Sequence, residues 1–176
     1  MRSTQSAGAA ALAATAADPV AALISVPVQF NYDRQIGPDR AGDQWLINVQ
    51  PVIPFTLNED WNLISRTIVP ILVQDDILLG SGSQSGLGDI VQSLFFSPRK
   101  PTQGGWTWGA GPVFLLPTAT NDLMGTKKWG AGPTAVALRQ EHGWSYGALA
   151  NHISESPDNG PQGWGLRFGV AFLFAK

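Results

Sequence analysis

From Trp164 towards the end of the chain every second residue is large and apolar: Trp164, Leu166, Phe168, Val170, Phe172 and Phe174. Between them stand Gly165, Arg167, Gly169, Ala171, Leu173 and Ala175. A period of two marks a strand, because successive side chains leave a pleated backbone on opposite faces. The pattern recurs upstream. Ile24, Val26, Val28, Phe30 and Tyr32 alternate with Ser25, Pro27, Gln29, Asn31 and Asp33. Trp45, Ile47, Val49, Pro51, Ile53 and Phe55 alternate with Gln44, Leu46, Asn48, Gln50 and Val52. A third segment, 61–73, sets Val69, Ile71 and Val73 against Ile64, Arg66, Ile68 and Leu72. In the fourth, GLGDIVQSLFFS, Ile90, Leu94 and Phe96 are assigned outward and Asp89 inward. Trp106, Trp108, Ala110, Pro112, Phe114 and Leu116 define the fifth. The sixth, 129–140, offers Val136 and Leu138 against Ala135, Ala137 and Arg139; the seventh, 143–153, opens with Trp144 and Tyr146, and the closing segment is the eighth. These segments run to about 11–13 residues, against about 5–6 for an ordinary strand.

The links between segments alternate in length. Those after the odd segments are DRQIGPDRAGD, QDDILLGSGSQSG, PTATNDLMGTKK and SESPDNGPQG; those after the even ones are TLNED, SPRKPTQGG and QEHG. In an up-and-down barrel the odd links share one rim and the even links the other, and membrane barrels put long loops outside and short turns in the periplasm. Tryptophans follow the same division. Trp61, Trp106, Trp108 and Trp144 open odd segments, while Trp45, Trp129 and Trp164 open even ones. Neighbouring strands run in opposite directions, so the two sets are expected to ring opposite edges, where indole is sheltered and its N–H stays wet. Tryptophans at the strand starts of a soluble sandwich are the plainer alternative.

Composition narrows the setting. Only 14% of residues are charged, against about 25% in soluble domains. The net charge is −2 with no Lys/Arg run, which argues against a nucleic-acid partner. Cysteine is absent, excluding disulfides and thiolate chemistry. The uncharged stretch PTQGGWTWGAGPVFLLPTATN contains Pro101, Pro112, Pro117 and four glycines, so it does not read as a membrane helix. Residues 1–18 resemble a disordered leader or a weak signal remnant, and 19–176 form one domain.

Bulky apolar residues on one face, with glycine, alanine and isolated polar groups on the other, suit a closed sheet in lipid. The outer face must be apolar there, every backbone polar group must be paired, and only closure pairs them all. The expected fold is therefore all-β, an antiparallel up-and-down transmembrane β-barrel of about eight strands, with both termini periplasmic. Candidate lumen groups are Gln29, Asn31, Asn48, Gln50, Arg66, Asp89, Arg139 and Arg167. An arginine facing hydrocarbon costs about 2–4 kcal/mol near the midplane, so Arg66 and Arg167 are expected inward, with Asp89 as their acid. The result is either an internal ionic plug or a selecting constriction.

Catalysis is not indicated. Asn151 and His152 in NHIS are neighbours on one strand and point apart, which leaves Ser154 without a converging partner set. His142, in a short turn, reads as solvated, and no histidine or carboxylate repeats at ligand spacing; neither a metal nor a cofactor is expected. GSGSQSG lacks phosphate-loop spacing and reads as a flexible outer loop. QDD and NED read as solvated turns.

The segments LISVPVQFNYD, NVQPVIPFTLNEDWNLISRTIVPIL, GLGDIVQSLFFSP, WGAGPVFLLPTAT, KWGAGPTAVALRQ, YGALANH and ESPDNGPQGWGLRFGVAFLF together resemble the outer-membrane barrels labelled "MetA-pathway of phenol degradation". The resemblance covers nearly everything from Pro19 to Lys176. It implies an outer-membrane, non-enzymatic passive transporter or channel for small compounds, hydrophobic or aromatic by the family label alone. The implied partners are the lipid bilayer, the barrel-assembly machinery and a small hydrophobic solute. Relatives are longer between ALANH and ESPDNG by about two hairpins, an even number of strands that leaves closure possible; Ile153 and Ser154 then mark a deletion joint. A shortened barrel of eight strands is narrow enough to be filled by side chains, so a plugged, non-conducting barrel is one alternative. A soluble lipocalin-like barrel, with its apolar faces turned inward on a ligand, is the other.

Overall fold

The structure, a computed structural model, describes residues 24–38, 40–78, 80–141, 144–153 and 163–172, with the backbone alone for 140, 145 and 163–172. The described residues contain ten strands and no helix: β1 (Val28–Ile36), β2 (Gly42–Val49), β3 (Val52–Thr56), β4 (Trp61–Asp75), β5 (Ser83–Leu87), β6 (Ile90–Pro98), β7 (Trp106–Leu116), β8 (Gly130–Glu141), β9 (Trp144–Ile153) and β10 (Gly163–Phe172). They form a single sheet in the order β1-β2-β4-β6-β7-β8-β9-β10, with β3 and β5 also on β4, every pairing antiparallel. The sheet curls into a half-barrel. Among the described residues β1 and β10 are its two edges.

Ten strands occupy eight positions because two positions are interrupted. On β4, Val49 stands opposite Val69 and Val52 opposite Arg66, so β2 and β3 keep one register. The gap falls at Pro51, which has no N–H to offer the ladder, although its carbonyl still accepts from Thr67 N at 3.0 Å. Pro27 has the same effect before β1: Gln50 N donates to Pro27 O at 2.9 Å, and Ser25 and Val52 exchange two backbone bonds beyond it. The break between β5 and β6 is of another kind. Leu87 stands opposite Ile71 and Gly88 N reaches Pro70 O at 2.9 Å, but Val91 stands opposite Ile68. One extra residue has entered, a β-bulge at Asp89.

Pairing also extends into the long links. β1 and β2 stay in contact to Arg34/Asp43 and Ile36/Gly42, with Gln35 at φ 59° where the register slips. Ser83–Gly86, expected as flexible loop, belong to β5 and pair with β4. Both faces of these strand ends are polar, so alternation disappears while backbone pairing continues.

The core lies on one face only. Val52, Ile64, Phe95 and Val136 are buried together, Ile64 and Phe95 at 0% exposure, with Leu138 and Leu149 packed against them. All of these share a face by register: Ile64 faces Phe95, and Val136 faces Gly109 and Leu149. Burial of each large side chain contributes about 1.5–3 kcal/mol. The opposite face is bare. Val28, Phe30, Tyr32 and Trp45 are exposed, Phe30 at 66%, and the register sets Phe30 beside Ile47 and Tyr32 beside Trp45.

The sixth segment is in the opposite phase to the one expected. Val136 and Leu138 point inward, while Ala135, Ala137 and Arg139 lie outward beside Ala110, Trp108 and Trp106. Neighbouring glycines explain the reversal. A Cβ on Gly147 would run into Leu138 Cδ2, so Leu138 lies over bare backbone. Glycine on one strand admits bulk from the next.

Candidate functional site: the inner face

Gln29, Asn31, Asn48, Gln50 and Arg66 come from β1, β2, β4 and the Gln50–Pro51 gap. Directly opposed residues share a face, so the pairing of Gln29 with Asn48 and of Asn48 with Pro70 puts these groups on the core-bearing side. Four of the five are joined. Arg66 Nη2 donates to Gln50 Oε1 at 2.6 Å, Gln50 Nε2 to Gln29 Oε1 at 3.2 Å, and Gln29 Nε2 to Asn31 Oδ1 at 2.9 Å. Asn31 Nδ2 then donates to the Leu46 carbonyl at 3.3 Å. The guanidinium thus begins a relay of amides across three neighbouring strand positions, and a charged donor makes its first bond the strongest.

A second polar row, absent from the sequence-based candidates, lies nearer the long-link rim. Gln44 Nε2 donates to Gln74 Oε1 at 3.0 Å, and Gln74 Nε2 donates to Gln84 Oε1 at 2.9 Å and to the Leu123 carbonyl at 3.5 Å. Gln74 is 1% exposed. Gln44 and Gln74 share the parity of Asn48 and Arg66 in the alternation, and that was the available signal; Gln84 lay in a stretch expected to be loop.

Asp89 does not meet an arginine. Its Oδ1 accepts from Ala119 N at 3.1 Å, and its Oδ2 accepts from Thr126 N at 2.5 Å and Thr126 Oγ1 at 2.7 Å. The acid holds the β7–β8 connection, because the bulge turns it out of the regular alternation and towards that segment. Contrary to expectation, Arg139 is not an inner group. It stands between Trp106 and Tyr146 on the outer face and pairs with Glu141 at 2.9 Å. Arg167 lies opposite Leu149 in the β9–β10 register, and its side chain is outside the described residues, as is that of Trp164.

The other tryptophans fall into two groups. Trp61 meets Trp108 edge-on at 6.1 Å and Trp106 meets Tyr146 edge-on at 5.8 Å, with Trp144 beside them at the short-link end. Trp45 stacks on Tyr32 at 4.6 Å, and it and Trp129 flank the long links. A further polar group lies on the outer face: Thr67 Oγ1 donates to Gln92 Oε1 at 2.6 Å and Gln92 Nε2 to Ser65 Oγ at 2.9 Å.

Asn151 pairs with Thr134 and Gly165, whereas His152 pairs with Trp164, which puts the two on opposite faces. Ser154 and His142 lie outside the described residues. In the NED turn, Asn58 Oδ1 accepts from Asp60 N and Trp61 N, each at 2.9 Å; in QDD, Asp76 Oδ1 accepts from Gly82 N at 3.1 Å. Both side chains close turns.

No protein family matches this chain, and no curated protein does. Among solved structures, an outer membrane channel from Pseudomonas putida F1 shares its fold, with a TM-score of 0.52 over 77% of this chain and 54% of that one, at 15% identity. The chain spans about half the length of that channel.

Proposed function

We propose that this chain is a wall-forming β-barrel protein of the bacterial outer membrane, and that it passes small compounds passively along its inner face without catalysis. The observation that carries this reading is the orientation of the sheet: exposed Phe30, Tyr32 and Trp45 on one side, and the Arg66–Gln50–Gln29–Asn31 relay with the apolar core on the other. Water penalises such a bare apolar face, and lipid does not. The likeness to an outer membrane channel supports the same reading. Hydrophobic or aromatic solutes, the bilayer and the barrel-assembly machinery enter as the partners that the family resemblance implies.

A second reading is favoured by one observation. Ile64 and Phe95 are at 0% exposure on the inner face, as in a barrel filled by its own side chains. Heat-modifiable gel mobility and single-channel recording on the full chain distinguish the cases. A heat-modifiable, membrane-inserted protein with solute flux supports the channel. The same protein without flux supports the filled barrel, and recovery from the soluble fraction without detergent rejects both in favour of a lipocalin-like binder.

A further inference from the structure

The β7–β8 connection, residues 117–129, was expected as an outer loop; the structure folds it back onto the inner face. Its first part runs along β5: Thr120 N donates to Leu87 O at 2.9 Å, Leu87 N to Thr120 Oγ1 at 3.0 Å, and Ile90 N to Thr118 Oγ1 at 3.0 Å. A turn follows, closed by Leu123 N on Asn121 Oδ1 at 2.9 Å and Met124 N on Asn121 O at 3.0 Å. Met124 at its tip is only 7% exposed.

Glycines form the floor beneath it. A Cβ on Gly86 would come within 3.1 Å of Met124 Sδ, and one on Gly88 would lie 2.8 Å from Leu72 Cδ1 and 3.2 Å from the Met124 carbonyl. Gly86 and Leu72 face each other in the β4–β5 register, on the side that bears Gln74 and the core. The Gln74 amide also reaches the Leu123 carbonyl. The tip therefore occupies the inner face near the long-link rim.

Two ends of this segment converge on one carboxylate. Asp89 accepts from Ala119 on the way in and from both the N–H and the hydroxyl of Thr126 on the way out. Bonds from backbone N–H to an ionised carboxylate are about twice as strong as neutral ones. A Cβ on Gly125 would strike both Ala119 Cβ and this carboxylate, so only glycine fits between them. The exposed Lys127–Asp122 pair at 2.6 Å adds little, as is usual for surface ion pairs.

We infer that residues 117–129 form the constriction of the passage, with Met124 seating the segment on the glycine floor and Asp89 as the residue that positions it. The inference rests on the channel reading above. The bulge gives it a structural cause: one extra residue in the β5–β6 line turns a carboxylate towards the loop that a regular strand would have left out of reach.

Single-channel recording tests it on the full chain, with heat-modifiable mobility as the folding control. Asp89→Ala is expected to raise conductance several-fold, and Met124→Ala is expected to raise it without touching the anchor. The chain has no native cysteine, and a Cβ at Gly86 would lie 3.4 Å from Thr120 Cβ, close to the roughly 3.5–4.5 Å of a disulfide. Gly86→Cys with Thr120→Cys, added to Asp89→Ala, is therefore expected to return conductance to the wild-type level when oxidised and to release it on reduction. A merely structural role for Asp89 predicts no such rescue. If wild type conducts and neither Asp89→Ala nor Met124→Ala changes the current, the constriction is overturned and the channel reading stands. If all inserted variants are silent, the channel reading fails and takes the constriction with it. A silent wild type beside a conducting Asp89→Ala supports the constriction, as a segment that closes the passage, and rejects passive flow through the wild type.

Discussion

The two ends of the inner face hold themselves together by different physics. Towards the short links, Ile64, Phe95, Val52 and Val136 fill the space with hydrocarbon, and stability there depends on volume. Towards the long links, Gln44, Gln74 and Gln84 join three strands by amide bonds, and the β7–β8 segment is tied down by Asp89. Stability there depends on matching each donor to an acceptor. One end penalises lost volume and the other penalises orphaned polar atoms, although both belong to one continuous sheet.

The comparison breaks most sharply at Phe95. Phe95→Ala empties a site at 0% exposure and is expected to cost about 3–5 kcal/mol, read as a lower denaturant midpoint in detergent or vesicles. Next is Ile47→Arg, on the outer face beside Phe30 and Ile71. In lipid it costs about 2–4 kcal/mol near the midplane, whereas on a water-facing surface it changes stability by no more than about 0.5 kcal/mol. Refolding into vesicles, measured by tryptophan fluorescence, separates the two. Gln74→Leu keeps the volume but orphans Gln44 Nε2 and Gln84 Oε1; its expected cost is about 1–3 kcal/mol, in the same unfolding assay. Arg139→Ala removes a partly exposed ion pair and should shift the midpoint by no more than about 1 kcal/mol. An effect of Arg139→Ala as large as that of Phe95→Ala contradicts its outer placement.

What was legible in the sequence follows from where alternation carries information. Phe30 announces its face because both of its strand neighbours, Gln29 and Asn31, are polar. Eight strand positions could be read for the same reason. Val136 could not be placed, because alternation gives the phase within a strand and says nothing about which phase meets the core. That depends on register, and on Gly147 leaving room across the ladder. The polar candidates on β1, β2 and β4 share one face as expected, but the partners of Asp89 are backbone groups of a distant connection. No local pattern points to them, since only the bulge brings them within reach. Pro51 escaped notice as a break because, by hydropathy alone, it continues the alternation.

The prolines have a consequence before the fold exists. Pro54, Pro70, Pro98, Pro112 and Pro133 each sit within a strand, and Pro27 and Pro51 border strands. Every one removes a rung that an incoming identical chain would need for in-register stacking, and fibril-forming segments are marked by the absence of proline. An unfolded polypeptide with so many alternating apolar segments thus carries its own safeguard against amyloid.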